Sequence, residues 1–189
     1  MTEPRFASHP GGIAAGIIAM VVIVALSNYV VQFPINDWLT WGALTYPVAF
    51  LVTDLTNRTL GPRAARQVIY AGFALAVVLS AWLATPRIAI ASGSAFLVAQ
   101  LLDVAVFNRL RAGAWWRAPL VSSTLGSVVD TVLFFSIAFA GSGLPWVTWA
   151  LGDFGVKMAM AGIMLLPFRL LMPALRPQLA KSELPEVFS

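Results

Sequence analysis

PLVSSTLGSVVDTVLFFSIAFA, residues 119–140, is an apolar run that holds one charged side chain, Asp130. A helix rises 1.5 Å per residue, so a run of this length crosses a hydrocarbon layer of ~30 Å. An ionised carboxylate there costs at least ~2.5–3.5 kcal/mol on insertion scales, so it is expected to face a cavity, a partner or a substrate path. Asp54 and Asp103 close two further apolar runs in the same way. Carboxylates inside apolar helices make the chain read as a membrane transporter.

The rest of the sequence agrees. Of 189 residues, 59% are hydrophobic and only 11% charged, with a mean hydropathy of +0.83. Residues 6–36, 67–86 and 131–152 hold no Asp, Glu, Lys or Arg. The expected fold class is all-α: a polytopic membrane protein, a bundle of six transmembrane helices. The spans fall at about 12–31, 38–59, 67–84, 88–107, 119–140 and 148–172. Pro34, Gly61-Pro62, Pro86 and the Gly141 to Pro145 stretch mark the turns. A single transporter domain, 12–172, is expected between an N-terminal tail, 1–11, and a C-terminal tail, 173–189. The first run is too long for a signal-peptide core and lacks an Ala-x-Ala site.

Charge fixes the expected orientation. Arg5, then Arg58, Arg63 and Arg66, then Arg109, Arg111 and Arg117, then Arg169, Arg176 and Lys181 all fall on one side of the six-span scheme. Only Arg87 and Lys157 of the 12 basic residues do not. The positive-inside rule therefore puts both termini in the cytoplasm. Basic residues gathered in loops also account for the high isoelectric point without a nucleic-acid partner; the expected surroundings are membrane lipid. The seven tryptophans mostly lie near span ends, as interfacial anchors do.

Several chemistries are excluded. There is no cysteine, and the only histidine is His9 in the N-terminal tail. Thiolate metal sites, cysteine nucleophiles and a Ser-His-Asp triad inside the membrane are ruled out. No Gly-x4-Gly-Lys-Ser/Thr motif is present, so the chain carries no ATPase module of that type. An intramembrane aspartyl protease lacks its Gly-x-Gly-Asp pattern; Leu151-Gly152-Asp153 comes nearest. No enzyme activity, metal or cofactor is expected.

Polar stripes lie inside the spans. Tyr46, Phe50, Asp54 and Asn57 share one helix face, and Ser92, Phe96, Gln100 and Asp103 repeat the same offsets. Ser123, Ser127, Asp130 and Phe134 make a third stripe, Lys157 interrupts the sixth span, and Asn28 and Gln32 add amides to the first. A bundle can aim these stripes at one cavity. A plainer arrangement also satisfies the spacing. Asp54 pairs with Arg58, Asp103 with Arg109, and Lys157 with either Asp130 or its i−4 neighbour Asp153. Tyr46-Pro47 marks a kink, because proline removes a backbone hydrogen bond. Gly12, Ala15, Gly16 and Ala19 form interleaved small-residue pairs, suited to packing within the bundle, to a homo-oligomer or to a membrane partner.

These residues resemble a family. Leu44-Thr45-Tyr46-Pro47, Phe50 through Asn57, Gly61 and Ala65-Arg66 are similar to the queuosine precursor transporters, formerly described as vitamin uptake transporters. Gln100-Leu101-Leu102-Asp103 with Phe107, Trp115-Trp116-Arg117, Ser123 through Phe135, Lys157 and Pro167-x-Arg169 extend the likeness over about 27–172. The resemblance implies six spans in the bacterial inner membrane and uptake of 7-cyano-7-deazaguanine or a related deazaguanine for tRNA modification. Such a ligand offers paired N–H donors beside a carbonyl. A carboxylate can accept the donors, an amide can serve the carbonyl, and an aromatic ring can stack on the base. The candidate binding residues are Asp54, Asn57, Gln100, Asp103, Ser127 and Asp130 with Phe50, Phe96 and Phe134; Asp130 and Lys157 are also a candidate coupling or ion pair. The alternative, by size and topology, is the substrate-binding membrane subunit of an energy-coupling-factor transporter for a vitamin or purine-like molecule.

Overall fold

Many large apolar side chains point outward in this chain, while a set of polar and charged ones is buried. In the computed structural model, which describes residues 10–30, 33–36, 39–83 and 85–181, Trp82, Leu151, Leu166 and Leu170 are exposed. Asp54, Asn57, Gln100, Asp103, Ser122, Ser127, Asp130 and Lys157 are buried. That inversion suits a molecule whose solvent is hydrocarbon, where an apolar surface is free and a polar one is costly.

The described residues are almost wholly helical. The helices are α1 (Pro10–Val30), α2 (Trp41–Thr45), α3 (Val48–Leu60), α4 (Pro62–Leu83), α5 (Pro86–Leu110), α6 (Arg117–Phe139) and α7 (Trp146–Lys181). Between α1 and α2, strands β1 (Pro34–Asn36) and β2 (Leu39–Thr40) form a minimal antiparallel ribbon. Helices α1, α5, α6 and α7 are each long and apolar enough to cross a membrane. At 36 residues, α7 is ~54 Å long by its 1.5 Å rise, so its last turns extend past any bilayer core. The expected spans correspond to α1, α2 with α3, α4, α5, α6 and α7. Arg5, His9 and Gln32 lie outside the described residues, as do the ends of both tails.

The second expected span is broken where Tyr46-Pro47 stands. Pro47 has no N–H to continue the α2 ladder, and it caps α3 with helical φ and ψ of −60° and −18°. After the 13 residues of α3, Gly61 ends the helix at φ 88°, a left-handed conformation that favours glycine. Pro62 then starts α4, using the fixed φ that suits a first helical position.

Packing follows small residues. Met20 and Val24 of α1 are buried against α4, and a Cβ on Gly72 would come 2.6 Å from Met20 Cγ. Gly16 likewise faces Val68 and Thr56 at 2.9 and 3.1 Å. That member of the small-residue stripe thus serves packing of α1 within the chain. A second apolar cluster, Phe107, Ala118 and Phe168 with Leu51, Leu110 and Trp115, closes the end of the bundle that carries most arginines.

Helices α3 and α5 run parallel and in register. Thr53 Oγ1 donates to Gln100 Oε1 at 2.7 Å, and Asn57 Nδ2 donates to the Val104 carbonyl at 3.2 Å. Beyond them Arg58 donates to the Arg111 carbonyl, and Arg111 to the carbonyl of Asn57. Arg111 lies past the end of α5, where burial and then the neighbouring Arg58 charge lower its pKa. At the opposite end Arg87 donates to the Ile137 and Ala140 carbonyls at 2.7 and 2.6 Å. It thereby satisfies carbonyls that the last turn of α6 leaves open.

Candidate functional site

Two polar knots occupy the bundle interior. In the first, the α3, α5 and α6 faces bring Asp54, Asp103, Ser122 and Ser123 together. Ser123 Oγ lies 3.2 Å from Asp54 Oδ2 and 3.5 Å from Asp103 Oδ1, so one hydroxyl stands between two carboxyl groups. Ser122 Oγ is 3.4 Å from Asp54 Oδ1. Asp54 thus turns to α6 serines rather than to Arg58, whose guanidinium donates to the Arg111 carbonyl. Burial is nearly complete, with Asp103 0% and Asp54 3% exposed.

Acceptors outnumber donors here. Asp103 Oδ2 and Asn57 Oδ1 are buried without a hydrogen-bond partner among the described residues, as is Gln100 Nε2. A buried polar atom left unpaired costs ~1–3 kcal/mol, so such a group invites an explanation beyond packing.

The second knot joins α6 to α7. Lys157 Nζ lies 2.7 Å from Asp130 Oδ2 and 2.5 Å from Asp153 Oδ2. It also donates to Thr131 Oγ1 at 3.2 Å, and Thr131 in turn donates to Asp153 at 2.8 Å. All three ammonium protons are therefore used. Both pairings open to Lys157 on sequence spacing coexist. Tyr46 reaches in from the α2–α3 break, its hydroxyl 3.5 Å from Asp130 Oδ1 and its ring 5.9 Å from Lys157 Nζ.

A cleft connects the two knots. It lies between α3, α6 and α7 and is narrow, with enclosed room for little more than a water molecule. Phe50, Asp54, Ser123, Ser127 and Lys157 line it together with Pro47 and Phe168. Of the expected binding residues, Phe50, Asp54 and Ser127 reach this cleft. Asn57, Gln100 and Asp103 are buried at the α3–α5 seam behind it. Asp130 is tied to Lys157. Phe96 packs edge-on against Tyr46, 6.3 Å between centroids, in the core that also holds Met20 and Val68. Phe134 meets Phe135 and Phe139 edge-on farther along α6. Neither Phe96 nor Phe134 lines the cleft; helical spacing puts each on a face but cannot say which neighbour it meets.

Ser122, Thr53 and Thr131 were missed by sequence reasoning. Each adjoins a singled-out residue, and hydroxyls of this kind in membrane helices often bond only their own backbone. Their cross-helix bonds leave no mark in spacing.

Comparisons with known proteins agree with one another. A family model described as "Putative vitamin uptake transporter" matches residues 40–85 and 80–172. A Haemophilus influenzae protein named "Probable queuosine precursor transporter" is 39% identical over 78% of this chain and 80% of its own. The Escherichia coli K12 "Queuosine precursor transporter" is 37% identical over 87% of this chain and 88% of its own. A Bacillus subtilis protein named "Probable queuosine precursor transporter" is 25% identical over 67% and 68%. No solved structure matches significantly.

Proposed function

This chain belongs to the vitamin uptake transporter family, and from that membership we propose that it takes up a queuosine precursor across the bacterial inner membrane. It is a multi-pass membrane protein, and the substrate is 7-cyano-7-deazaguanine or a related deazaguanine. The observation that carries the site is the shared wall of the cleft: Asp54, Phe50 and Ser127 line it together. The Asp54 carboxylate accepts the paired N–H donors of the purine edge, the Phe50 ring stacks on the base, and Ser127 serves the carbonyl. Asn57, Gln100 and Asp103 lie behind Asp54 at the α3–α5 seam. Lys157, held by Asp130 and Asp153, lines the same cleft.

Six spans within a 12–172 domain, with both termini cytoplasmic, are part of this reading; α2 and α3 share the second. Parallel α3 and α5 support it, since an even number of crossings separates helices of like direction. The two basic residues on the wrong side support it as well. Arg87 is engaged by α6 carbonyls and Lys157 by two carboxylates. Neither therefore acts as a loop charge that sets orientation. Nothing in the comparisons favours the energy-coupling-factor alternative.

The test is rescue. A bacterium without its own deazaguanine synthesis and transporter should regain queuosine in its tRNA when given this chain and the precursor. Folded protein in the membrane with no rescue by any deazaguanine precursor removes the assignment.

A further inference from the structure

We propose that the Asp54–Asp103 pair holds one exchangeable proton whose passage is coupled to that of the substrate. The inference deepens the transport reading and rests on it for the coupling, though not for the proton itself. Its basis is the mismatch in the first knot. Two carboxyl groups flank one Ser123 hydroxyl, which has a single proton to give, at 3.2 and 3.5 Å. The Ser122 hydroxyl offers Asp54 only a long contact of 3.4 Å. Asp103 Oδ2 has no donor among the described residues although Asp103 is wholly buried, and Asn57 Oδ1, one helical turn from Asp54, is equally unmet. Among the described residues, none brings a positive charge to this pair.

The surrounding elements do not supply it. Helix α1, packed against α3, has no charged residue between Pro10 and Val30. On α4, Arg63 and Arg66 are exposed at its first turns. On α3 and after α5, Arg58 and Arg111 donate to backbone carbonyls, and Arg109 is exposed on the last turn of α5. Helix α6 contributes Ser122 and Ser123, while its Asp130 is bound to Lys157. Lys157 of α7 reaches the same cleft, but its three protons go to Asp130, Asp153 and Thr131. Two adjacent anions in a low dielectric repel strongly, and one proton shared between them removes the repulsion.

The coupling follows from position. Asp54 lines the cleft and Asp103 does not. Substrate donors need Asp54 as an acceptor-only carboxylate, so the loaded carrier keeps the proton on Asp103. Outside, an O–H bond of hydronium breaks, leaving water, as an O–H bond forms at the pair, which goes from two negative charges to one. When the site opens to the cytoplasm that bond breaks and the proton passes to water there as hydronium. With a neutral deazaguanine, one positive charge enters per cycle, and uptake rises as external pH falls.

The experiment uses the full chain in proteoliposomes with a pH dye inside and 7-cyano-7-deazaguanine outside. Substrate addition should acidify the interior, and an inward proton gradient should drive accumulation with sodium replaced by choline. Asp103→Asn, a fixed neutral stand-in for the protonated acid, should cut the protons moved per substrate exchanged to near zero. Exchange by the parent without acidification overturns the inference, as do coupling intact in Asp103→Asn and accumulation that follows a sodium gradient. Absence of any exchange by the parent counts against the substrate assignment instead. Infrared spectroscopy of the substrate-free protein then decides the proton alone. A protonated-carboxyl band at neutral pH, lost in the Asp54→Asn/Asp103→Asn double variant, is expected. Its absence from the parent sinks the proposal.

Discussion

Lys157 Nζ stands 2.7 Å from Asp130 Oδ2, joining α7 to α6 across 27 positions of sequence, and its second carboxylate, Asp153, lies on its own helix at 2.5 Å. Removing one member of a buried ion pair typically costs ~3–5 kcal/mol, because the other charge stays behind unpaired. Lys157→Met strands two carboxylates, whereas Asp130→Asn leaves the lysine with Asp153. The melting temperature in detergent should therefore fall furthest for Lys157→Met and less for Asp130→Asn. Both variants should remain in the membrane and lose uptake. A larger loss for Asp130→Asn would mean that Asp153 does little to hold the lysine.

Asp54→Asn tests the substrate contact. The amide keeps the size of the carboxylate but puts donors where the ligand also has donors. Losing a charge-assisted pair of bonds costs ~1.5–3 kcal/mol, roughly ten- to a hundredfold in affinity. Binding of 7-cyano-7-deazaguanine to the purified variant should weaken by that factor, with Phe50→Ala showing a milder loss. A variant that binds within about twofold of the parent makes Asp54 scaffolding.

Gly126→Ala probes the shape of the cleft. An added Cβ would stand 2.8 Å from Phe50 Cε1 and 3.3 Å from the Ala99 carbonyl. Phe50 must turn, and overpacking of this kind costs ~1–3 kcal/mol. Affinity and melting temperature should both drop. In a Phe50→Leu background, where the clashing ring atom is gone, the added cost of the alanine should shrink. An equal cost in both backgrounds would place the strain at the α5 backbone alone.

Topology can be read directly, since the chain has no cysteine to remove. Single cysteines at Arg63 and Ala114 should be labelled only from the cytoplasm, and one at Ser142 only from outside. External labelling at Arg63 or Ala114 reverses the orientation.

Much of the helix plan was legible. A charge-free run leaves few options for where a helix sits, and Pro47, Gly61 and Pro62 fix a break and a turn through backbone geometry that each residue carries with it. The site was legible only as stripes. Spacing shows that Asp54 and Asn57 share a face, and it offers Arg58 at i+4 as a partner for Asp54. The actual partners, Ser122 and Ser123, stand 68 and 69 positions away, so only the packing of α6 against α3 and α5 selects them. Phe96 shows the same limit: spacing puts it on the face of Gln100 and Asp103, yet the space it fills lies beside Met20 of α1 and Gly72 of α4. The β1–β2 ribbon was not foreseen at all, being two short segments with too little pattern to register.

Four hydrogen bonds tie α3 to α5 and to Arg111 just beyond its end. Helices laced along their length cannot slide without breaking several bonds in one step, so these two travel as a single beam. By contrast, Phe168 of α7 meets Phe107 and Leu51 through apolar surface alone, which can shear at little cost. Sliding therefore meets less resistance at the apolar α7 contact than along the hydrogen-bonded α3–α5 pair.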